Sequence, residues 1–392
     1  MKVAICGAGI SGLALAHRMH AHGWDVVVLE RARGPREQGY MIDFFGPGFD
    51  AAEAMGLLPA LHERAHPIDE ATYVDAAGRT TGHLTFARFA AAEDDRLLSL
   101  LRSELEAVLR AQLPAAVDLR FGAGVADVRE RTGGVDVGLA DGTRLGADLL
   151  VGADGIHSTV RRLVFGEEHR YLRYLGFHTA AFQFDDPVVE EATRHRVCLT
   201  DTPQRQMGVY GLGRGRVAAF TVHRTPDPTL PADARTAVQE EYRSLGWLVP
   251  RVLAACPPSS EVFYDQVAQI EMPRWSRGRV TLLGDACAAV SLLAGQGASL
   301  GLGGAYVLAE AIACAQTVEA GLERYERTWR PVATDRQEVG RRAARWFLPA
   351  SRRQVLLRRA FLRLGGLPGM DRLIAAAIAG NRAPVVAEPA AR

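Results

Sequence analysis

Gly7-Ala8-Gly9-Ile10-Ser11-Gly12 follows directly on the short apolar run Lys2–Cys6 (KVAIC) and leads into Leu13–His22, which reads as a helix. Trp24–Leu29 (WDVVVL) is a second strand of the buried type, and Glu30 closes it. Strand, glycine turn, helix, strand and acid in this order specify a unit that cradles a dinucleotide. Gly7 permits the tight turn, Gly9 lets the backbone approach a pyrophosphate, and Gly12 lets helix and strand pack closely. The helix start around Ile10 and Ser11 offers free N–H groups and the positive end of a dipole to phosphate oxygens. Glu30 is spaced to accept hydrogen bonds from a ribose hydroxyl pair. The alternative is a chance glycine turn in a chain with 40 glycines.

The 392 residues are 48% apolar, enough for a sizeable core and for about two to three domains. With 46 basic and 45 acidic residues, nothing in the charge asks for nucleic acid or an anionic membrane. Lys2 is the only lysine; arginine carries the remaining positive charge. Cys6, Cys198, Cys256, Cys287 and Cys314 lie far apart, which fits reduced thiols in a cytoplasmic protein better than disulfides or a metal site. No apolar stretch is long enough to span a membrane, and glycines interrupt the N-terminal apolar run that a signal peptide would need.

Further along, Phe49–Met55 and Leu57–His62 read as helices, Ala71–Phe86 as a hairpin, and Leu97–Leu113 as one amphipathic helix. Val117–Phe121, Val125–Arg129, Val135–Leu139 and Arg144-Leu145 alternate like short antiparallel strands, with Asp141-Gly142 as a hairpin turn. From about residue 171 to 272 the texture becomes strand-rich, interrupted by a helix near Ala232–Leu245. Arg279–Leu283 is another buried strand, and long helices follow over Gly304–Val318 and Glu319–Arg345. Gln354–Leu364 and Met370–Ala379 read as shorter helices ahead of a tail with Pro384 and Pro389.

Two further motifs narrow the reading. Asp148–Arg161 reads DLLVGADGIHSTVR and Arg279–Gly297 reads RVTLLGDACAAVSLLAGQG. With GAGISG, and in this order, they resemble the three fingerprints of the FAD-dependent class A monooxygenases of the para-hydroxybenzoate hydroxylase-like fold, over about residues 1–345. The resemblance implies an α/β fold: a Rossmann-like FAD-binding domain (1–70, 96–170 and 273–330), a mostly antiparallel substrate-binding domain (71–95 and 171–272), C-terminal helices (331–382) and a tail (383–392). It implies FAD contacts from Gly7, Gly9, Ile10, Ser11, Gly12, Glu30, Arg31, Arg36, Met41, Asp43, Arg102, Val125, Asp154, Gly155, Gly284, Asp285, Gly295, Gln296, Gly297, Ala298 and Ser299. Asp285 would accept hydrogen bonds from ribityl hydroxyls, or else act as a helix N-cap. The helix from Ala298 would face the flavin where negative charge develops on reduction. Asp154 could instead cap the turn before Ser158, and Arg102 could be a solvated helix arginine.

The resemblance further implies that NADPH or NADH reduces FAD as a transient visitor, that dioxygen adds at flavin C4a, and that the hydroperoxide hydroxylates or epoxidises a bulky aromatic or polyketide-like small molecule in secondary metabolism or antibiotic modification. The cofactor carries that chemistry, in keeping with the lack of a nucleophile triad or metal cluster in the sequence. The chain departs from the family where Ala288, Ser291-Leu292, Ser299 and Gly304 replace the histidine, proline, asparagine and aspartate usual there. A reductase, dehydrogenase or cyclase that does not use oxygen is therefore the alternative, and a non-catalytic flavin-bearing ligand binder a third. Gly246-Trp247 has only one tryptophan of the flavin halogenases' double-tryptophan motif. Tyr210, His223, Arg205, His178 and Phe220 on the middle strands are candidate pocket residues, Tyr210 and His223 as donors to a phenol or carbonyl. The expected assembly is a monomer or a homodimer.

Overall fold

The computed structural model describes residues 1–35, 39–87, 90, 96–291 and 295–364, the side chains at 343–346 and 363–364 excepted. Arg36, Leu292 and the helix expected over Met370–Ala379 lie outside the described residues.

The first glycine turn lies at the centre of a six-stranded sheet. Lys2–Cys6 pairs in parallel with Asp25–Glu30 on one side and Leu149–Gly152 on the other, and Val280–Leu282 continues beyond Leu149–Gly152. Asp118–Phe121 forms one edge, and the short Ser276–Arg277 strand, the one antiparallel member, forms the other. Val26 to Leu29 are almost wholly buried. Both faces of a parallel sheet are covered, so such strands read as continuous apolar runs rather than alternating ones. The helices Ile10–Ala21 and Gly297–Ala313 pack on each other beside it, and Gly297–Ala313 also packs on Pro47–Ala54 and Val318–Phe347.

Asp118–Phe121 corrects one expectation. It pairs in parallel with Asp25–Glu30, while Val125–Arg131, Gly134–Leu139 and Arg144–Ala147 form a separate three-stranded antiparallel sheet. The stretch expected as a single helix over Leu97–Leu113 is also split. Leu97–Leu101 is a strand paired with Met41–Phe45, and the helix Arg102–Ala111 starts where that strand stops. Glu104 accepts from Leu101 N at 3.1 Å, one half of a capping box, and so marks the change of direction. The long helices begin at Gly297 and at Val318, where Thr317 Oγ1 accepts from Ala320 N, rather than at Gly304 and Glu319.

A seven-stranded sheet stands against this layer, in the order Phe263–Ile270, Leu172–Asp185, Arg216–Arg224, Arg205–Gly213, Arg196–Thr200, Glu70–Val74, Thr80–Thr85. It is antiparallel but for the pairing of Arg196–Thr200 with Glu70–Val74. The helices Ala234–Tyr242 and Val249–Ala254 close one face over Ala180, Phe182, Met207, Val209, Val217 and Ala219. The last described helix, Arg352–Leu364, packs on the Glu70–Thr85 hairpin: Arg358 and Arg359 both pair with Asp201, at 2.6 and 2.5 Å. No described helix is long and apolar enough to cross a membrane.

Candidate functional site

Around the first turn, the need for glycine comes from crowding by main chain. A Cβ on Gly7, whose φ is +108°, would lie 2.4 Å from Ala153 O, and one on Gly12 would lie 1.9 Å from Gly7 O. Gly9 differs. Its nearest neighbours would be the tips of Glu106 and Arg102, at 3.6 and 3.8 Å, so its backbone faces a recess. Glu30 ends the second strand and accepts from Ala8 N and Ala32 N, at 2.9 and 2.8 Å. Arg31 is exposed and Val125 buried, in adjoining segments joined by the Ala123 N to Glu30 O bond of 2.8 Å.

The second motif lies directly behind this turn. Asp154 accepts from Ser158 Oγ, Thr159 N and Val160 N, at 2.5, 2.7 and 3.1 Å, so it caps the helix Thr159–Val164, while Gly155 turns the chain at φ +81°. Arg161, the last residue of the motif, is wholly buried and ties it to the third motif. It donates to Ala286 O at 2.9 Å, to Ile156 O at 2.6 Å and to Glu168 at 2.7 Å.

Ser11 joins the first motif to the third. Its Oγ occupies the space where Gly284 and Gly301 would carry a Cβ, 2.3 and 2.4 Å away, so a serine on one element requires glycines on two others. Gly284 caps the short helix Asp285–Ala288, and Asp285 is its first residue rather than its N-cap. The Asp285 carboxylate is open to solvent on one side and ringed by protein on the others. That crowding raises its pKa, against the pull of Arg102. Arg102 pairs with Glu106 at 2.8 Å, so it is no freely solvated helix arginine. Tyr40 completes the wall; burial pushes its hydroxyl up to about 12. Gly297 lies 3.7 Å from Asp285 Oδ1, measured from an added Cβ. Gly295 is exposed at φ +65°, Gln296 and Ser299 are buried, and Ala298 is half-buried. Gly304, at the family's aspartate position, leaves space for the Trp329 indole, whose Nε1 would be 2.5 Å from a Cβ.

The residues present fit FAD. Two helices of 12 and 17 residues start beside one recess with no side-chain cap and no acid in the first turn. Their free N–H groups suit anionic and electron-rich atoms. Gly9, Ser11, Arg102, Asp285 and Gly297 gather around that recess from segments nearly 300 positions apart. Among the described residues no group of three or more His, Cys, Asp or Glu could hold a metal ion.

The seven-stranded sheet divides the candidate pocket residues between its faces. Tyr210 and Phe220 lie on the face that packs with Leu101, Met41, Val197 and Leu212. The Tyr210 hydroxyl accepts from Met41 N at 2.5 Å. His178, His223 and Arg205 belong to the opposite face. His223 Nδ1 lies 3.1 Å from Tyr242 Oη, Arg205 donates to Glu241 O at 2.6 Å, and the His178 and His223 rings meet edge-on at 5.6 Å. Burial, with His178 and Arg205 nearby, lowers His223 to about 4. The division has a simple cause: side chains alternate across a strand, and His223 shares the parity of Val217 and Ala219, His178 that of Ala180, and Arg205 that of Met207. Asp43 points at Ser99 Oγ, 3.0 Å away, and burial raises its carboxyl to about 6.

Arg161, Tyr40 and Glu106 escaped the sequence reading. Arg161 stood inside a recognised motif, and its signal was an arginine three positions after a helix-capping Ser158.

The model of the FAD binding domain family matches residues 1–338. The FAD-dependent monooxygenase asL6 of Sarocladium schorii is 32% identical over 377 residues, covering 86% of each chain. Among solved structures, tetracycline destructase Tet(55) superposes with a TM-score of 0.80 at 25% identity, covering 96% of this chain and 97% of its own. Klebsiella pneumoniae HpxO complexed with FAD and uric acid gives a TM-score of 0.80 at 22% identity over 97% of both chains. The chain belongs to the FAD binding domain family, among its FAD-dependent monooxygenases.

Proposed function

We propose that this FAD-dependent monooxygenase takes reducing equivalents from NADPH or NADH and inserts one atom of dioxygen into a bulky aromatic or polyketide-like molecule. The observation that carries the reading is the apolar cluster of Tyr210, Phe220, Met41, Leu101, Val197 and Leu212, built on the Met41–Leu101 pairing that runs directly into Arg102. Such a cluster suits a flat apolar substrate better than a small polar one. Residues 71–95 and 171–272 then act as the substrate-binding part, and 1–70, 96–170 and 273–330 hold the cofactor.

FAD, when bound, supplies the redox chemistry and oxygen activation. The Gly7–Gly12 turn and the start of the Ile10–Ala21 helix hold its pyrophosphate, and Glu30 its ribose. Asp285 and the start of the Gly297–Ala313 helix hold the flavin half. Arg102 offsets the charge of Asp285 and Glu106 beside it. Tyr210 and Phe220 position the substrate ring and exclude water.

The test is to reconstitute the protein with FAD and follow NADPH and NADH oxidation against a panel of aromatic polyketides, tetracycline and uric acid, under isotopically labelled dioxygen. One labelled oxygen atom per product is the expected result. Turnover with no label in any product replaces this reading with the oxygen-independent reductase, dehydrogenase or cyclase.

A further inference from the structure

Two glutamines outside every motif hold the segment that follows Asp285. Gln269 is the penultimate residue of the Phe263–Ile270 strand, and Gln337 lies on the Val318–Phe347 helix. Their exposures are 0% and 6%. Gln269 Nε2 donates to Val290 O at 3.0 Å and to Gln337 O at 2.9 Å. Gln337 Nε2 donates to Ala289 O at 3.0 Å and to Ile270 O at 2.7 Å. Arg341 donates to Gln269 Oε1 at 2.8 Å and so fixes which end of that amide faces Val290. The carbonyls of Ala289 and Val290 thus find their partners on two remote elements.

The next residue explains the need for such a hold. Ser291 adopts φ +85°, is 8% exposed, and its hydroxyl has no hydrogen-bond partner among the described residues. A non-glycine residue in the left-handed region persists only where its surroundings over-determine it. Proline, usual in the family's version of this loop, would preset the backbone by itself, but its φ near −65° does not fit here.

We propose that Gln269 and Gln337 are positioning residues for the flavin end of the site, a two-amide clamp that sets Ala289–Ser291 where the family relies on proline. The inference rests on the reading that residues 284–299 border FAD. Each glutamine donates to two carbonyls at once: losing Gln269 takes the amide donor from Val290 O, and losing Gln337 leaves Ala289 O with only the 3.3 Å bond from Ile270 N.

The test titrates FAD into apoprotein and records affinity by quenching of flavin fluorescence, the reduction potential of the bound flavin, and the melting temperature. It compares wild type, Gln337→Leu, Gln269→Leu and, as a control, Arg251→Ala, which removes the Arg251–Asp186 ion pair behind the other sheet. Both glutamine variants are expected to bind FAD roughly tenfold more weakly and with a shifted potential. Arg251→Ala is expected to lower the melting temperature alone. Glutamine variants with wild-type affinity and potential, whatever their melting temperature, overturn the clamp and leave the site reading standing. Wild-type protein that takes up no FAD overturns both. Should the leucine variants not accumulate as folded protein, Gln337→Asn and Gln269→Asn, which keep the amide but shorten its reach, carry the same comparison.

Discussion

The two ends of the recess are built by opposite means. At the Gly7–Gly12 turn, main chain meets main chain: Gly7 abuts Ala153 O, and Gly12 abuts Gly7 O. At the Gly284–Ser299 end, main chain meets side chains delivered from elsewhere, namely Ser11 against Gly284 and Gly301, Trp329 against Gly304, and two glutamines against Ala289 and Val290. Backbone contacts admit one residue type. Side-chain contacts can be renegotiated by changing both partners, and this second end is where the sequence leaves its family's pattern. The difference teaches which part of such a site is free to diverge.

The sharpest test applies one substitution at both ends. Gly12→Ala sets a Cβ 1.9 Å from a carbonyl oxygen that cannot move without opening the turn. The cost should exceed the ~1–3 kcal/mol of ordinary overpacking. The expected outcome is protein that is insoluble or takes up no FAD, read by soluble yield and flavin absorbance. A soluble, flavin-bearing Gly12→Ala protein would break the contrast.

Ser291→Pro comes next. It imposes an incompatible φ and should cost ~3 kcal/mol, whereas Ser291→Gly relieves left-handed strain and should raise stability by up to ~1 kcal/mol. Denaturant midpoints of the pair decide this, and equal midpoints would mean that Ser291 does not hold its left-handed conformation. Gly304→Ala meets the Trp329 ring at 2.5 Å, a side chain rather than main chain. A loss of ~1–2 kcal/mol with FAD uptake retained is expected in thermal melts. Failure to fold, as for Gly12→Ala, would erase the distinction between the ends.

The smallest effect concerns His157, which joins the second motif to the seven-stranded sheet. Asp265, at 3.5 Å, and Glu168, at 3.0 Å, raise it to about 9 from an ordinary 6.5. Because the folded value lies above the unfolded one, its stabilisation is complete below pH 6.5 and is lost as pH rises through 9. Its half-exposed ring keeps the effect modest. The wild-type melting temperature should therefore fall more steeply than that of His157→Gln between these two values. Parallel slopes would remove His157 from the account.

The same contrast explains what could be read in advance. The βαβ start, the three FAD motifs and the strand-rich middle were legible because each depends on local spacing and periodicity. The Leu97–Leu101 strand was not, since its apolar run continues unbroken into the Arg102–Ala111 helix and only pairing with Met41–Phe45 separates the two. Asp118–Phe121 looked like its antiparallel successors because a four-residue run carries no mark of its partner's direction. Tyr210 and His223 looked alike as pocket donors, and the facing of their strands assigned one to each side of the sheet. Gln269 and Gln337 carry no local signal whatever, because what they bind is main chain 21 and 48 positions away.

Strand order has a consequence for how the molecule is made. Leu149–Gly152 receives its neighbour Val280–Leu282 only after some 130 intervening residues have been synthesised. A nascent chain that ends within that interval already has the Gly7–Gly12 turn, but it presents an open, apolar parallel edge beside it. Unpaired edges of this kind recruit other chains. Fragments cut short before Val280 should therefore clump rather than survive as miniature nucleotide binders, and the ribosome must deliver the far end of the cofactor's berth before the near end is safe in solution.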